Sequence, residues 1–274
     1  DQASKTVPDD PAVRVGTLQN GLRYFIRRHD NPENRAYFRF VMHVGSLQED
    51  DDQRGLAHIL EHMAFNGSNH FGPQELDAYF QSIGMQFGAH VNASTGFDKT
   101  IYKLEIPTDD PAIIEQTFRV LQDWGSGLLL PNDQIEKERL VGLEEWRGRR
   151  SGRMRTMEQM LPTLYWGSKH VNRLPIGTED SLLGFEHDAL RRFYQDWYRP
   201  EFCSVVIVGD IEVDSMEENI LQYLAGWKNE SDRAAELIEV PIPKDRMIGI
   251  IQDETIPYPM MMISQKKRTI QYRT

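Results

Sequence analysis

The chain has 274 residues, and 42 Asp+Glu against 31 Lys+Arg give it a formal net charge of −11. That acidic balance disfavours nonspecific contact with nucleic-acid phosphates, and no run of about 18 apolar residues is present to span a bilayer. The single cysteine, Cys203, excludes an internal disulfide; within the apolar run Cys203-Ser204-Val205-Val206-Ile207-Val208 it reads as a buried thiol, not a nucleophile.

In chain order the pattern is α+β. Residues 1–12 read as a flexible lead-in that opens polar and without Met, as a trimmed N-terminus would. Strands over 15–18 and 22–28 are joined by the hairpin signal Asn20-Gly21. A third strand over 37–44 puts Phe38, Phe40 and Met42 on one face and Tyr37, Val41 and His43 on the other, which predicts burial on both faces; His43 is assigned a structural role. The acidic loop Gln48-Glu49-Asp50-Asp51-Asp52 reads as a solvated turn whose acids cap the next helix, in preference to a metal loop. That helix covers 55–65. Pro73 opens another over 74–83.

Strands over 85–92 and 99–106 follow, joined by Ala93-Ser94-Thr95-Gly96-Phe97-Asp98. Helices are predicted over 111–124 and 132–150, the latter capped by Asn132, then over 155–164 and 181–198, with Thr178-Glu179-Asp180 capping the last. A buried strand over 203–208 and a helix over 213–224 complete a domain spanning 13–228. Residues 229–246 read as a linker. Strands over 247–252 and 260–265 read as the start of a second domain spanning 247–274, with Met260-Met261-Met262 in its core.

The chemistry centres on Gly55-Leu56-Ala57-His58-Ile59-Leu60-Glu61-His62-Met63-Ala64-Phe65. His58 and His62 are four apart, so one helix face presents both imidazoles, and two neutral imidazoles at this spacing can bind one metal ion. Glu61 shares that face and can reach a metal-bound water. The rest of the stretch is largely apolar, and unpaired polar groups on a buried helix are costly. His-x-x-Glu-His is the inverted form of a zinc-peptidase signature. Two incidental histidines are the plain alternative, and a third ligand is needed to displace it. The helix over 132–150 supplies candidates: Glu138 and Glu145 are two turns apart on one face, with Val141 and Gly142 between them to allow close approach, whereas Glu144 points about 100° away. Glu145 can ligate a metal and Glu138 can support a histidine.

These segments, with Phe65-Asn66-Gly67 and Asn92-Ala93-Ser94-Thr95, resemble the M16 family of zinc peptidases, which includes pitrilysin, insulin-degrading enzyme and the mitochondrial processing peptidase. Leu18-x-Asn20-Gly21-Leu22-Arg23-Tyr24, Gly45-Ser46-x-x-Glu49, Trp197-Tyr198-Arg199-Pro200 and Val206-x-Val208-Gly209-Asp210 extend the resemblance in family order. Glu144-Glu145-Trp146-Arg147 and Leu174-Pro175-Ile176-Gly177 are most similar to its bacterial periplasmic, PqqL-like branch.

The resemblance implies an M16-type domain of mostly antiparallel sheet packed with helices, followed by the start of a similar domain. It implies one Zn2+ per chain on His58, His62 and Glu145, with Glu138 supporting and Glu61 as general base. The interval between His62 and Glu145 is several residues longer than in many relatives; the extra length is placed in loops, and Glu144 is the competing ligand.

A peptide would add as a strand beside Asn92 and Ala93, an arrangement with low sequence selectivity; an ordinary core strand is the alternative. The implied activity is endopeptidase cleavage of peptides or small or unfolded proteins through a zinc-activated water. Family members are clams of two halves, so a missing second half or a partner chain is implied. The alternative function is a zinc-binding, non-catalytic accessory subunit. The branch implies a periplasmic or otherwise exported protein.

Overall fold

The computed structural model describes residues 10–267. Residues 1–9 of the expected lead-in and 268–274 of the expected second domain lie outside the described residues.

Three strands open the chain, β1 (Val13–Thr17), β2 (Arg23–Arg28) and β3 (Arg35–Met42). β1 and β2 pair antiparallel across the Asn20-Gly21 turn, with Gly21 at φ +94°, a conformation that glycine adopts without strain. Helices α1 (Leu56–Met63) and α2 (Glu75–Ser82) follow, then β4 (Val91–Thr95) and β5 (Thr100–Pro107). Next come α3 (Pro111–Ser126), α4 (Asn132–Gly148), α5 (Gly152–Leu164), α6 (Glu179–Gly184) and α7 (His187–Trp197). Strand β6 (Cys203–Gly209) and helix α8 (Val213–Leu224) complete the regular structure of the described residues.

The six strands form one sheet in the order β1-β2-β6-β3-β5-β4, and the fold is α+β as expected. Among the pairings of these six strands in the described residues, β2–β6 alone is parallel; the late strand β6 inserts between β2 and β3. Strand alternation directs Phe38, Phe40 and Met42 into the core, where Tyr102, Phe118 and Trp124 join them. Phe40 meets Trp124 edge-on, with ring centroids 6.2 Å apart, and Tyr102 stacks on Trp124 at 4.7 Å. Cys203 is buried, as its apolar run predicts.

Several expectations change. The alternate face of β3 is only half-buried, because helices cover one side of the sheet much more fully; His43 on that side pairs with the Ser204 hydroxyl, a structural role. The strand expected over 85–92 is mostly a tight turn: Gly88, at φ +83°, donates its N–H to Val91 O, and the edge strand starts at Val91 and runs through Thr95. Pro131, not Asn132, occupies the cap position of α4.

The single helix expected over 181–198 breaks at Phe185-Glu186, both extended. Buried Phe185 carries the Arg139 guanidinium 3.7 Å above its ring centroid. Arg139 also donates to the carbonyls of Leu182 (2.7 Å) and Phe185 (2.8 Å), satisfying groups freed at the helix end. Thr178 caps α6 by accepting from Ser181 N, as the sequence suggests.

Beyond Leu224 the described residues form neither helix nor strand, so the strands expected over 247–252 and 260–265 are absent. Ile248, Ile250, Met260, Met261 and Ile263 are exposed rather than core, since no strand among the described residues pairs with this segment. This segment is held to α5 by Arg155, whose guanidinium donates to both carboxylate oxygens of Asp253 at 2.8 and 2.9 Å.

Candidate active site

Helix α1 is buried along most of its length, and its neighbours fix its position. Gly142 of α4 faces Ile59: a Cβ there would come within 2.6 Å of Ile59 Cδ1, so the absence of a side chain sets how closely the two helices approach. Val141, expected to share this close approach, is exposed instead. The Trp124 indole N–H donates to Ala64 O at 3.0 Å and holds the C-terminal end of α1.

This packing brings the polar residues of α1 to the Glu face of α4. The His58 and His62 ring centroids are 4.5 Å apart. Glu145 Oε2 lies 3.6 Å from His58 Nε2 and 3.5 Å from His62 Nε2, and one donor atom from each residue falls within 4.8 Å of the others. Ligands about 2.0–2.2 Å from a tetrahedral zinc stand roughly 3.4 Å apart, so the donor set fits that ion. Glu144 points elsewhere, paired with Arg147 at 2.8 Å, as the helix-face argument predicts.

Glu138 sits behind the histidines. Its Oε2 lies 3.0 Å from His62 Nδ1, and its Oε1 accepts from Asn66 Nδ2 at 2.8 Å. With the proton on Nδ1, the Nε2 lone pair faces Glu145; a carboxylate partner of this kind fixes tautomer and ring orientation in metal sites. Burial, then the nearby His62 and Arg149, lowers His58 to about 3, so it is neutral across the physiological range. Burial pulls His62 down as well, but the Glu138 hydrogen bond and the surrounding carboxylates outweigh it and raise its pKa.

Glu61 is 7% exposed, and burial raises its pKa against the opposing pull of the Thr95 hydrogen bond. Thr95 Oγ1 donates to Glu61 Oε2 at 2.5 Å. Thr95 lies on β4, which carries Asn92 and Ala93 along the edge of the sheet. Val91, Ala93 and Thr95 are the more buried face of β4; Asn92 and Ser94 are exposed. The residues singled out from the sequence thus belong to three adjoining elements, α1, α4 and β4.

Sequence pattern alone gives no role to Thr95, Asn66 or Arg149, which pairs with Glu145. Thr95 is within reach of pattern reasoning, but a strand ended at Asn92 hides its alternation with Ala93. Asn66 and Arg149 meet their partners through tertiary packing and a helical i,i+4 spacing that many surface pairs share.

The sequence profile of the insulinase family, peptidase family M16, matches residues 24–179, and that of the peptidase M16 inactive domain matches residues 184–270. The chain is 34% identical over 274 residues to a probable zinc protease PqqL of Haemophilus influenzae, covering 99% of this chain and 30% of that protein. It is 35% identical over 206 residues to the probable zinc protease PqqL of Escherichia coli, covering 75% of this chain and 22% of that protein. The crystal structure of the first half of the periplasmic protease PqqL from Escherichia coli superposes with a TM-score of 0.79 at 33% identity, covering 86% of this chain and 50% of that one. The present chain therefore spans less than a third of the length of these two PqqL relatives. The profile match and the identity to zinc proteases agree: the chain belongs to peptidase family M16.

Proposed function

We propose that this chain carries the metal centre of a zinc endopeptidase that hydrolyses peptides or small or unfolded proteins. The observation that carries the reading is the convergence of His58, His62 and Glu145 on one point, with Glu61 on the same helix as the two histidines, directly before His62. In this reading the two histidines and Glu145 hold one Zn2+, and Glu138 orients His62. When bound, zinc supplies Lewis acidity: it lowers the pKa of a water and polarises a carbonyl oxygen. Glu61 takes a proton from the attacking water and returns it to the leaving amine, a role suited to a buried carboxylate whose pKa is raised. Thr95 holds one Glu61 oxygen and leaves the other to do this. Extended peptide pairs with the free edge of β4, with Asn92 and Ala93 beside the scissile bond.

Residues 13–228 form the catalytic domain in this proposal, 229–246 a linker, and 247–274 the beginning of a second domain. The partners are a peptide or unfolded protein and a further half of the protease, supplied by a longer chain or a second one. The periplasmic location is carried over from the PqqL structure of Escherichia coli. Among the described residues no helix is long and apolar enough to cross a membrane.

The test is cleavage of a mixed quenched-peptide library by the zinc-loaded chain beside Glu61→Gln. The reading predicts turnover lower by about 10²–10⁴-fold in the variant, with zinc retained. Equal cleavage by both would overturn the role of Glu61. Zinc binding without cleavage by either would support the second half being required for turnover.

A further inference from the structure

The N-terminus of α1 lacks a capping side chain of its own. Gly55 stands at the cap position, with φ +90°. Glu49, from the acidic turn upstream, takes that place: its Oε1 accepts from Gly55 N at 3.1 Å and Ala57 N at 2.9 Å. The side chain is fully buried, and Oε2 has no hydrogen-bond partner among the described residues. A carboxyl group kept in such a place is costly, so a compensating role is expected of it.

A second element secures the same turn. Arg173, buried between α5 and α6, donates from Nε to Glu49 O at 3.0 Å and from Nη2 to Asp51 Oδ1 at 2.8 Å. Ser46 Oγ donates back to Arg173 O at 2.6 Å. Four residues on, Gly177 presses its backbone against Gly55: a Cβ on Gly177 would lie 2.9 Å from Gly55 Cα. A bracket from a distant part of the chain thus grips the start of α1, and His58 follows Ala57 directly.

We propose that Glu49 and Arg173 are positioning residues for the metal centre, fixing the axial position and rotation of α1 so that His58 and His62 meet Glu145 on α4. The proposal rests on the zinc reading above. The tolerance explains the need: one residue of slippage moves a helix about 1.5 Å and turns it about 100°, whereas metal–ligand distances hold within about 0.2 Å.

The experiment uses the 274-residue chain, metal-free for hydrogen exchange and titrated with Zn2+ against a chelator for affinity. Glu49→Leu fills the same space without acceptors. It is expected to speed exchange of the Ala57 and Ile59 amides about tenfold or more while α7 amides are unchanged, and to weaken zinc binding by about tenfold or more. Glu49→Gln keeps an acceptor oxygen and restores both to within about threefold. If Glu49→Leu does not fold, Arg173→Met is read in the same assays. Wild-type exchange in α1 of the variant overturns the bracket. Faster exchange with wild-type zinc affinity overturns its role at the metal. Failure of the unsubstituted chain to bind zinc overturns the metal reading itself, while the exchange result still decides whether the bracket exists.

Discussion

His62 and Glu138 meet across the contact between α1 and α4, with Nδ1 and Oε2 3.0 Å apart, and this pairing leaves His62 Nε2 directed at Glu145. Removing the carboxylate with Glu138→Ala frees the ring to rotate and change tautomer. Zinc affinity is expected to fall about 10–100-fold, with the fold retained because Glu138 is only partly buried. Competition with a chromophoric chelator measures this; unchanged affinity would remove Glu138 from the site.

Glu49 makes stability depend on pH. Burial raises its pKa from 4.5 to about 8, against the hydrogen bonds of Ala57 and Gly55 and the charges of Arg173 and Lys169. The folded chain therefore keeps a proton that the unfolded chain releases. The contribution of Glu49 is most favourable at or below pH 4.5, is lost as pH rises toward about 8, and is level above that. Urea unfolding between pH 5 and 8 should show Glu49→Gln gaining on the unsubstituted chain by a few kcal/mol at most, since each tenfold difference in proton affinity between folded and unfolded chain is worth about 1.4 kcal/mol. A difference that stays constant over this range would contradict the burial argument.

Gly142 limits the α1–α4 distance. In Gly142→Ala, the crowding of Ile59 Cδ1, the end of a flexible side chain, is set against roughly 1 kcal/mol of helix propensity gained, so little net change is expected. Gly142→Val adds bulk without that relief and is expected to cost about 1–3 kcal/mol and to lower zinc affinity. Denaturant midpoints and zinc titration on the same preparations check both; a Val variant as stable as the unsubstituted chain would show that the helices are not in close contact here.

Strand addition at β4 predicts that backbone donors of the substrate matter more than its side chains. N-methylation of a peptide amide facing β4 is expected to weaken binding about two- to tenfold, the effect of one lost hydrogen bond, while methylation at the alternate positions has little effect. Competition binding to the Glu61→Gln chain reads this directly. Equal affinity of all methylated peptides would argue against pairing at this edge.

The elements that follow local rules were legible in the sequence. The period of α1, the Asn20-Gly21 turn, the apolar run of β6 and the bounds of α8 all agree with the structure. The approach of His58, His62 and Glu145 to one another, and of Glu138 to His62, was legible because helical spacing places these residues on single faces. Other features depend on partners distant in sequence. Arg139 breaks the helix expected over 181–198 by satisfying the carbonyls at Leu182 and Phe185. The acidic turn was expected to be solvated, yet Glu49 is fully buried because Arg173 and the α1 amides enclose it. Alternation of apolar residues predicted strands beyond residue 246, but a strand also needs a neighbour to pair with, and none adjoins this segment among the described residues.

The central claim is that His58, His62 and Glu145 hold one zinc ion. Anomalous diffraction at the zinc edge from crystals of the zinc-loaded chain tests it most directly. The account predicts a single strong peak within about 2.0–2.2 Å of His58 Nε2, His62 Nε2 and a Glu145 oxygen, retained in Glu61→Gln and lost in Glu145→Ala. A peak on other residues, or none in a chain whose α1 and α4 remain packed, would contradict it.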